Sequence, residues 1–554
     1  MPQIILLNDA TYHKHPLSTR PAGGHVIASA LRSAGFSCEV IDWFTTLPDF
    51  FDILKKVATS DTKILAISST FLAPASSIGE NKGLSEMTGF GAYKDETLDD
   101  ASFHAESIYD RNLYMWLETK ENAEKWFQKI REILPDVSII IGGPRVARIF
   151  KILEKKHIKE LPLREINYLI VGEGDDAVVK IANKIINGKN NFLKTLTINE
   201  MNFVFANRYE KPIPPITYTK NAFAVQGEWL PLEVSRGCKF NCSFCNFEKN
   251  VYRKKDKKTL IDELTRNYEM FGTQGYHITS DCLNDSKQYV DIFTDALSSL
   301  NFKIEYASYS RLDLFHKYQD MMDQLLETGY KAGWFGIETF NHEAGKAARK
   351  GLNPDRVKEL LHIFKEKSKK YGGFWLSVYL VLGLPKETVE STRETIDWFV
   401  DNTIIDEVSV SVLDIAEFSE LLVDMTSFSE HSTNPEKFGL KELSYNPFYW
   451  KHDTMDLNQA ISLKQEFREK MLDHRYTRFG GGAQNEYGSI RTLGFSHDQT
   501  VKLLKTKLGK AGANLINIDK NLKKAARNQI ISISQEKLKN YNDSMLNLFI
   551  ENTK

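Results

Sequence analysis

The chain has 554 residues, which is too many for one compact core and favours several domains. Hydrophobic residues make up 42% of it, charged residues 26%, and the net charge is −1. This balance is that of an ordinary globular protein, and it excludes a global charge field that would recruit nucleic acid or a membrane surface.

The cysteines and the N-terminus bear on the cellular compartment. Three of the five cysteines fall within residues 238–245, which favours a metal site in a reducing compartment over a disulfide framework. The apolar stretch at residues 1–9 has no basic lead and no cleavage site, so it is typical of a buried strand and not of a signal peptide. We therefore expect a cytoplasmic protein that does not bind membranes.

The N-terminal third alternates short apolar runs with amphipathic helix patterns. Near-continuous apolar strands separated by helices favour a parallel sheet covered on both faces. We expect a flavodoxin-like, doubly wound α/β domain over residues 1–195 and a linker over residues 196–228. The expected strands are residues 4–8, 38–41, 64–68, 137–141 and 168–171.

The carboxyl ends of these strands carry small or polar residues, and ligands of such sheets bind at this edge. Each glycine alone is equally typical of a βα turn, but together the positions indicate a ligand site. The candidates are Asn8, Ser68, Ser69, Thr70, Gly142, Gly143, Gly172, Glu173 and Gly174. A long insertion, residues 71–119, follows the third strand, where a lid and a tolerated surface loop are both open.

The motif at residues 235–247 carries the clearest chemistry of the sequence. Cys238, Cys242 and Cys245 are spaced Cys-x3-Cys-x2-Cys, so that three thiolates can each bind one iron of a cubane cluster. A fourth iron then has no protein ligand. Zinc, the alternative, usually takes a fourth ligand at short spacing, but the next candidates are His277 and Cys282.

A βα repeat surrounds this motif. Six expected strands indicate a partial parallel barrel over residues 229–415, with functional groups at the carboxyl ends of the strands. The strands are residues 229–234, 276–279, 302–307, 332–337, 374–382 and 408–412. A mainly helical cap is expected over residues 416–554.

These features resemble the radical S-adenosylmethionine (SAM) superfamily, in the branch with an N-terminal cobalamin-binding domain. Phe244 before the third cysteine and the segments 21–24, 140–143 and 171–174 carry the resemblance. It implies a [4Fe–4S] cluster, SAM bound to the open iron, and cobalamin. The Asp-x-His-x-x-Gly segment is absent, which implies cobalamin without a histidine ligand, or a domain that no longer binds it.

The resemblance also implies SAM contacts at the strand ends. Phe244 would touch the adenine, Arg311 the SAM carboxylate and Glu338 the ribose or amino group, although a structural ion pair is open for the last two. Ser280 and Asp281 stand where a Gly-Gly-Glu segment often binds the amino group. The remaining candidates are Ser308 and Gly383. Cys282, near the same rim, is interpreted as a small buried residue, with hydrogen donation or a second metal as the alternative.

The C-terminal segment is interpreted more coarsely. Residues 448–452 and the helical pattern at 457–472 suggest a cap over the barrel mouth, and residues 478–482 a loop. The lysines of residues 502–527 favour a solvated helix face over a phosphate or nucleic-acid site.

The resemblance implies a radical enzyme that cleaves SAM to a 5′-deoxyadenosyl radical and methylates an unactivated carbon. A rearrangement, cyclisation or oxidation is the alternative, and a corrinoid sensor or iron–sulfur scaffold is the non-catalytic one. The expected partners are a small-molecule or peptide substrate and an electron donor such as flavodoxin or ferredoxin.

Overall fold

The protein is represented by a computed structural model. It describes residues 2–8, 20–44, 47–69, 120–143, 146–147, 150, 154, 165–189, 193–198, 200–206, 211–220, 222, 226–245, 251–422, 428–445, 448–472, 477–480, 483–506, 532–533 and 535–545. Thr70, the 71–119 insertion and most of the basic segment 502–527 lie outside these residues. No helix in the described ranges is long and apolar enough to cross a bilayer.

The first sheet has seven strands in the order β2-β1-β3-β4-β5-β7-β6, all parallel except for the β6–β7 pair. Its first five strands have the doubly wound order expected from the sequence. The strands are β1 (Ile4–Asn8), β2 (Cys38–Asp42), β3 (Ile64–Ser68), β4 (Ser138–Gly142), β5 (Tyr168–Val171), β6 (Lys194–Ile198) and β7 (Met201–Phe205).

Two separate apolar cores cover this sheet because successive side chains of a strand point to opposite faces. Ile5 and Leu7 of β1 belong to one core, which includes Trp126 and Ile130 of a helix. Ile4 and Leu6 belong to the other core, under two further helices. Burial on both faces explains why the strands are apolar at nearly every position.

The β6–β7 hairpin corrects the expected linker, which was to begin at residue 196. Leu169 to Val171 of β5 pairs in parallel with Phe203 to Phe205, so the sheet continues to residue 205. The side chains of β6 are mostly exposed, as an edge strand allows, and its polar composition concealed it in the sequence.

The second sheet is an open, curved one with seven parallel strands in the order β18-β15-β14-β13-β12-β11-β8. The six expected strands are present, and a seventh is added by Arg478–Phe479, which pairs with Glu407–Val408 where a loop was expected. The chain order is β8 (Leu230–Leu232), β9 (Ser235–Arg236), β10 (Arg253–Lys254), β11 (Gly275–Ile278), β12 (Glu305–Ser310), β13 (Tyr330–Glu338), β14 (Trp375–Leu382), β15 (Glu407–Val412), β16 (Glu442–Tyr445), β17 (Phe448–Lys451) and β18 (Arg478–Phe479).

Some of the helices begin at a side-chain cap. Asp256 accepts a hydrogen bond from the Thr259 backbone N–H at 2.8 Å, and Thr388 forms a capping box with Ser391. The helices are α1 (Ala22–Ser33), α2 (Phe50–Val57), α3 (Lys120–Ile133), α4 (Gly174–Asn187), α5 (Lys257–Phe271), α6 (Lys287–Ser298), α7 (Leu312–Lys317), α8 (Asp320–Glu327), α9 (His342–Ala347), α10 (Pro354–Lys369), α11 (Val389–Asp401), α12 (Glu430–Thr433), α13 (Leu457–Leu472), α14 (Ala483–Thr492) and α15 (His497–Thr506).

The C-terminal region does not form a single cap over the barrel mouth. The β16–β17 hairpin lies at the carboxyl end of β14, where Trp450 covers Gly383. Helix α13 packs beside α11 on the flank of the barrel. Tyr487 of α14 packs on Trp229 at the amino end, and Tyr541 packs on the first sheet.

A fully buried ionic network joins the first sheet to the start of the barrel. The Arg20 guanidinium pairs with Asp42 at the end of β2 and with Glu228 before β8, and all three side chains are inaccessible to solvent. Burial would raise the pKa of Asp42, but the Arg20 and His25 side chains outweigh it and lower the pKa to about 2. The buried charges stabilise the fold only together, because removal of one would leave the others desolvated and unpaired.

Arg20→Met is therefore expected to lower the free energy of unfolding by about 3–5 kcal/mol, because two carboxylates remain buried without a cation. Arg393→Met removes an exposed ion pair with Glu466 and is expected to cost less than about 1 kcal/mol. Denaturant unfolding of both variants measures the difference. Equal losses would contradict the account.

Candidate functional site

The cysteine loop leaves the barrel at its first strand. Gly237, with φ at +76°, turns the chain directly after β9, and Cys238, Cys242 and Cys245 follow on one short loop. All three side chains are thiols outside any disulfide, and all three are partly exposed. Their position at the carboxyl end of β8 is the edge at which the sequence placed functional groups.

Contacts from two other parts of the chain hold this loop. Ser243 donates its hydroxyl to the Ala347 carbonyl at 2.9 Å, and its Oγ lies 3.2 Å from Nε2 of His431. Burial lowers the pKa of His431 to about 4, so the ring is neutral at pH 7. Arg349 donates to the Asn241 carbonyl at 2.7 Å. The loop is therefore fixed before any cofactor binds.

The donor set fits an iron–sulfur cubane better than one metal ion. Within the described residues, no three His, Cys, Asp or Glu side chains converge as ligands of a single ion. A cubane binds each thiolate to a different iron, so the three sulfurs need not converge. A zinc site would need four convergent ligands.

Arg311 lies over the loop but is already engaged. Its guanidinium binds both oxygens of Asp313, at 3.0 and 2.7 Å, and its remaining nitrogen lies 3.4 Å from Sγ of Cys242. The same guanidinium stacks 4.0 Å above the Phe240 ring. Because Asp313 occupies the fork, the structure presents Arg311 to a thiolate and not to an open carboxylate site.

Glu338 has an unusual backbone conformation at the end of β13. Its φ is +71°, and the β13–β14 register shifts between Gly336 and Glu338. This bulge turns the carboxylate towards Lys350, whose Nζ lies 3.1 Å from it. A side chain at Gly336 would overlap the Glu338 carboxylate. Non-glycine residues in this region of φ are strained, and such strain is concentrated at functional sites.

The remaining candidates for SAM contacts differ in exposure. Ser280 is buried and accepts a hydrogen bond from the Ser235 backbone at 2.8 Å. Ser308 is buried inside β12, because this strand ends three residues later than expected, and Phe244 packs against the barrel core. Asp281 is exposed, and partial desolvation together with the Glu233 carboxylate raises its pKa to about 6.

Cys282 is buried, as the sequence interpretation favoured. Its thiol lies 3.4 Å from Oδ1 of Asn284, and burial raises its pKa. Asn284 also binds the backbone of Arg311 through both atoms of its amide. The contacts of Cys282 are those of a packing residue.

Gly383, an expected site residue, lies beside Glu387, a buried carboxylate that sequence reasoning missed. Gly383 has φ at +84°, and a side chain there would overlap Trp450 of β17. Glu387 accepts hydrogen bonds from the Gly383 N–H and the Thr339 hydroxyl, both at 2.7 Å. The sequence of residues 382–387 could have indicated this contact, because a carboxylate shortly after a Gly-Leu-Pro turn can accept a hydrogen bond from the backbone of that turn.

Part of the expected ligand edge of the first sheet is filled by protein. Asn8 is fully buried, donates to Asp42 at 2.6 Å, and lies where a side chain at Gly24 would overlap it. His25 also binds Asp42, at 2.9 Å. The ends of β1 and β2 are therefore closed to a large ligand.

The ends of β3 to β5 keep the small residues that a flat cofactor requires. Gly143, with φ at +112°, faces the Ser69 hydroxyl, where a side chain would lie 2.8 Å from Oγ. Ser68 and Gly142 are half-buried at the same edge, and Gly172 has φ at +93°. These residues fit a corrin above β3–β5.

Glu173 and Gly174, the last two candidates at the ligand edge of the first sheet, contact other parts of the protein. Glu173 pairs with Arg236, at 3.1 Å, and with Arg253, both from the start of the barrel. A side chain at Gly174 would lie 3.1 Å from Cδ1 of Ile27, so its small size lets α4 pack on α1. Glu173 thus joins the two sheets at the edge they share.

The concave face of the barrel is lined by aromatic rings. Trp334 lies 5.4 Å from the His277 ring and 5.8 Å from Tyr309, which lies 6.0 Å from Tyr379. Burial lowers the pKa of His277 to about 4, and the Trp334 N–H is buried without a hydrogen-bond partner among the described residues. Trp334 is fully buried in an apolar cluster that includes Tyr487 of α14, whereas Thr279, directly after β11, is exposed.

The sequence profile of the radical SAM superfamily matches residues 232–399, which include the three cysteines and the barrel strands β11 to β14. This segment of the chain is therefore similar to the radical SAM superfamily.

The solved structures show how the complete radical SAM fold is arranged. The methyltransferase TsrM from Kitasatospora setae, with cobalamin and a [4Fe–4S] cluster bound, is similar over 97% of this chain and 100% of TsrM, at 13% identity and a TM-score of 0.57. OxsB, a cobalamin-dependent SAM radical enzyme with aqua-cobalamin bound, is similar over 99% of this chain and 80% of its own, at 12% identity and a TM-score of 0.53. The fold is that of cobalamin-dependent radical SAM enzymes.

Curated relatives match only parts of this chain. A protein of Methanocaldococcus jannaschii named as a methylthiotransferase is 25% identical over 51% of this chain and 66% of its own. A methyltransferase of Pyrococcus horikoshii is 23% identical over 48% and 58%. The chain thus spans two thirds or less of the length of these relatives.

The buried Glu387 gives the site a measurable pH dependence. Burial raises its pKa to about 7, above the usual value of about 4.3 for an unfolded chain. The folded state thus binds the Glu387 proton more tightly than the unfolded chain does. The stability that this proton contributes is fully present below about pH 4.3 and is lost as the pH rises through 7.

Ionisation of Glu387 is expected to cost the unmodified protein up to about 3 kcal/mol of unfolding free energy between pH 5 and pH 8. Glu387→Gln stays neutral over this range, so it is expected to lack this loss. Denaturant midpoints at the two pH values measure this. Glu390→Gln, an exposed carboxylate of α11, is the control and should follow the unmodified protein. An unchanged pH dependence in Glu387→Gln would contradict the assignment.

Proposed function

We propose that this protein is a cobalamin-dependent radical SAM methyltransferase that acts on an unactivated carbon. The observation that carries the proposal is a loop with three cysteine thiols, none in a disulfide, at the carboxyl end of the first barrel strand. Beside it, the small residues of β3–β5 leave room for a flat cofactor. The likeness to TsrM and OxsB over almost the whole chain supports placing both cofactors in one protein.

The cysteine loop would hold the cluster. Cys238, Cys242 and Cys245 provide three thiolates, and a cubane bound by them keeps one iron open for SAM. When bound, this cluster supplies the electron that cleaves SAM to methionine and a 5′-deoxyadenosyl radical. Arg311, 3.4 Å from the Cys242 sulfur, offsets the negative charge of that thiolate. We assign it as a positioning residue.

The SAM site would lie on the exposed polar side of the loop. Asp281 is exposed there and suits the SAM amino group, since among the described residues no cation pairs with its carboxylate. The Glu338–Lys350 pair presents a carboxylate at the end of β13 and suits the ribose or amino group. Ser280 accepts from the Ser235 backbone N–H and Ser308 donates to the Tyr309 carbonyl, so both act through the backbone that they bind.

The concave aromatic face would bind the substrate. Its rings, His277, Tyr309, Trp334 and Tyr379, offer flat apolar surfaces, and the free N–H of Trp334 offers one donor. This suits a small molecule or peptide with a planar group. TsrM, whose structure was solved with tryptophan as its substrate, has such a group in its substrate. Cobalamin, when bound, supplies the methyl group.

A second function uses the same site without methyl transfer. OxsB is described as a radical enzyme and not as a methyltransferase, so the shared fold accommodates both outcomes. A rearrangement or oxidation of the substrate needs SAM cleavage but no methyl donor. The two functions share the cysteine loop and differ in the role of the cobalamin edge.

The cluster assignment predicts a difference between two cysteine variants. After anaerobic reconstitution with iron and sulfide, Cys242→Ala is expected to form no 5′-deoxyadenosine from SAM under reduction. Cys282→Ala, which changes a buried thiol outside the loop, should retain the activity. Chromatographic quantification of 5′-deoxyadenosine measures both. Retained cleavage by Cys242→Ala would contradict the proposal.

The methyl-transfer assignment predicts a dependence on cobalamin. With SAM labelled at its methyl group, label should enter the product only when cobalamin is bound, whereas 5′-deoxyadenosine should form with or without it. A Gly142→Leu variant, which fills the edge of the first sheet, is expected to lose cobalamin binding and keep SAM cleavage. Unlabelled product in the presence of cobalamin would favour the second function.

A further inference from the structure

A basic pocket opens on the surface beside the cysteine loop. Its volume is about 300 Å³, and four of its seven lining residues are cationic. The cations come from three separate segments: the end of α9, the turn after β14, and the segment after α12. The lining residues are Lys346, Ala347, Arg349, Pro385, Lys386, Lys437 and Phe438.

The pocket wall is in direct contact with the loop. Ala347 accepts the hydrogen bond of the Ser243 hydroxyl at 2.9 Å, and Arg349 donates to the Asn241 carbonyl at 2.7 Å. Phe438 packs on the His431 ring at 4.3 Å, and that ring reaches the same Ser243 hydroxyl. A partner that occupies the pocket would therefore lie next to the segment that carries the three cysteines.

The cations of the pocket outnumber their carboxylate partners. Arg349 and Lys437 both pair with the single carboxylate of Glu430, and Lys346 pairs with Glu343 at 2.9 Å. Lys386 is exposed, with φ at +78°, and has no carboxylate within salt-bridge distance among the described residues. The pocket is thus a positive patch on a chain of net charge −1.

Exposure distinguishes a docking surface from a small-anion site. The side chains of Lys346 and Lys437 are 54% and 52% exposed, so they form a rim and do not converge inside the pocket. Exposed charges of one sign steer a protein partner of opposite sign and set its orientation. A small anion is instead bound by convergent, desolvated donors.

We propose that this pocket is the docking surface for a small acidic redox protein that delivers the electron for SAM cleavage. The inference rests on the proposed function. In the step, the reduced cofactor of the donor loses one electron, the cluster-carrying enzyme gains it, and no covalent bond changes. The partner's carboxylates meet Lys346, Lys386 and Lys437, and its redox centre then faces the cysteine loop.

The direct test measures binding without any turnover. A flavodoxin is titrated into the purified protein by calorimetry at low and high ionic strength. The triple variant Lys346→Glu, Lys386→Glu, Lys437→Glu is expected to bind about tenfold or more weakly at low ionic strength, and binding to the unmodified protein should weaken with salt. A second triple variant, with glutamine at the same positions, should give an intermediate affinity.

The control reverses two exposed lysines that do not line the pocket. Lys369 pairs with Glu366 across one helical turn at 2.6 Å, as Lys346 does with Glu343, and Lys258 pairs with Asp262. Lys369→Glu with Lys258→Glu should bind flavodoxin like the unmodified protein. Equal binding by the pocket variant, or displacement of flavodoxin by inorganic phosphate at constant ionic strength, would overturn the proposal.

A second readout separates docking from damage to the site. With flavodoxin and its NADPH-dependent reductase, the pocket variant should form 5′-deoxyadenosine about tenfold or more slowly. With dithionite, a small reductant that needs no docking surface, it should match the unmodified protein. A parallel loss with both reductants would overturn the inference. If the unmodified protein cleaves no SAM with dithionite, the proposed function fails while the binding result remains interpretable.

Discussion

The guanidinium of Arg236 is the contact on which the arrangement of the site depends. This side chain binds Glu173 and Asp175, from the edge of the first sheet, and Glu233, from the end of β8, all within 3.1 Å. Cys238 follows two residues later. One cation therefore fixes the first sheet, the first barrel strand and the start of the cysteine loop relative to one another. Since the group is largely buried, loss of any partner would leave a desolvated charge.

Residues of the C-terminal region also contact the cysteine loop and the barrel. His431 reaches Ser243 within the cysteine loop, and Trp450 seals Gly383 at the carboxyl end of β14. Helices α14 and α15 close the amino end of the barrel through Tyr487, whose hydroxyl lies 2.7 Å from Nδ1 of His497. Within the described residues, these contacts fix the cysteine loop and the carboxyl end of β14 from one side and cover the amino end of the barrel from the other.

The sequence predicted the regular elements well and the polar contacts poorly. All eleven strands expected in the two sheets were found, because each is a short apolar run bounded by turn residues. The exposed edge strand β6 and the two-residue β18 were missed, since neither has an apolar pattern. The three cysteines could be recognised from spacing alone. Which side chains of the expected sites are free could not, because it depends on long-range partners.

Asn8 and Arg311 illustrate that limit. Both residues lie at strand ends on the expected ligand edges. Asn8 is nevertheless enclosed by Asp42 and Gly24, and Arg311 is paired with Asp313. The opposite error concerns Glu387, which was not among the expected site residues. The fold places it between the ends of β13 and β14. Residue type and position along a strand identify the edge of a site. The tertiary partners decide which groups there can meet a ligand.

The central claim is that the loop holds a cubane with one iron open to SAM. Mössbauer spectroscopy of the protein reconstituted with ⁵⁷Fe, with and without SAM, tests it most directly. The account predicts a [4Fe–4S] spectrum in which SAM shifts the signal of a single iron site. A spectrum that SAM leaves unchanged because a fourth protein ligand fills that site, or a protein that takes up one zinc ion and no iron, would contradict it.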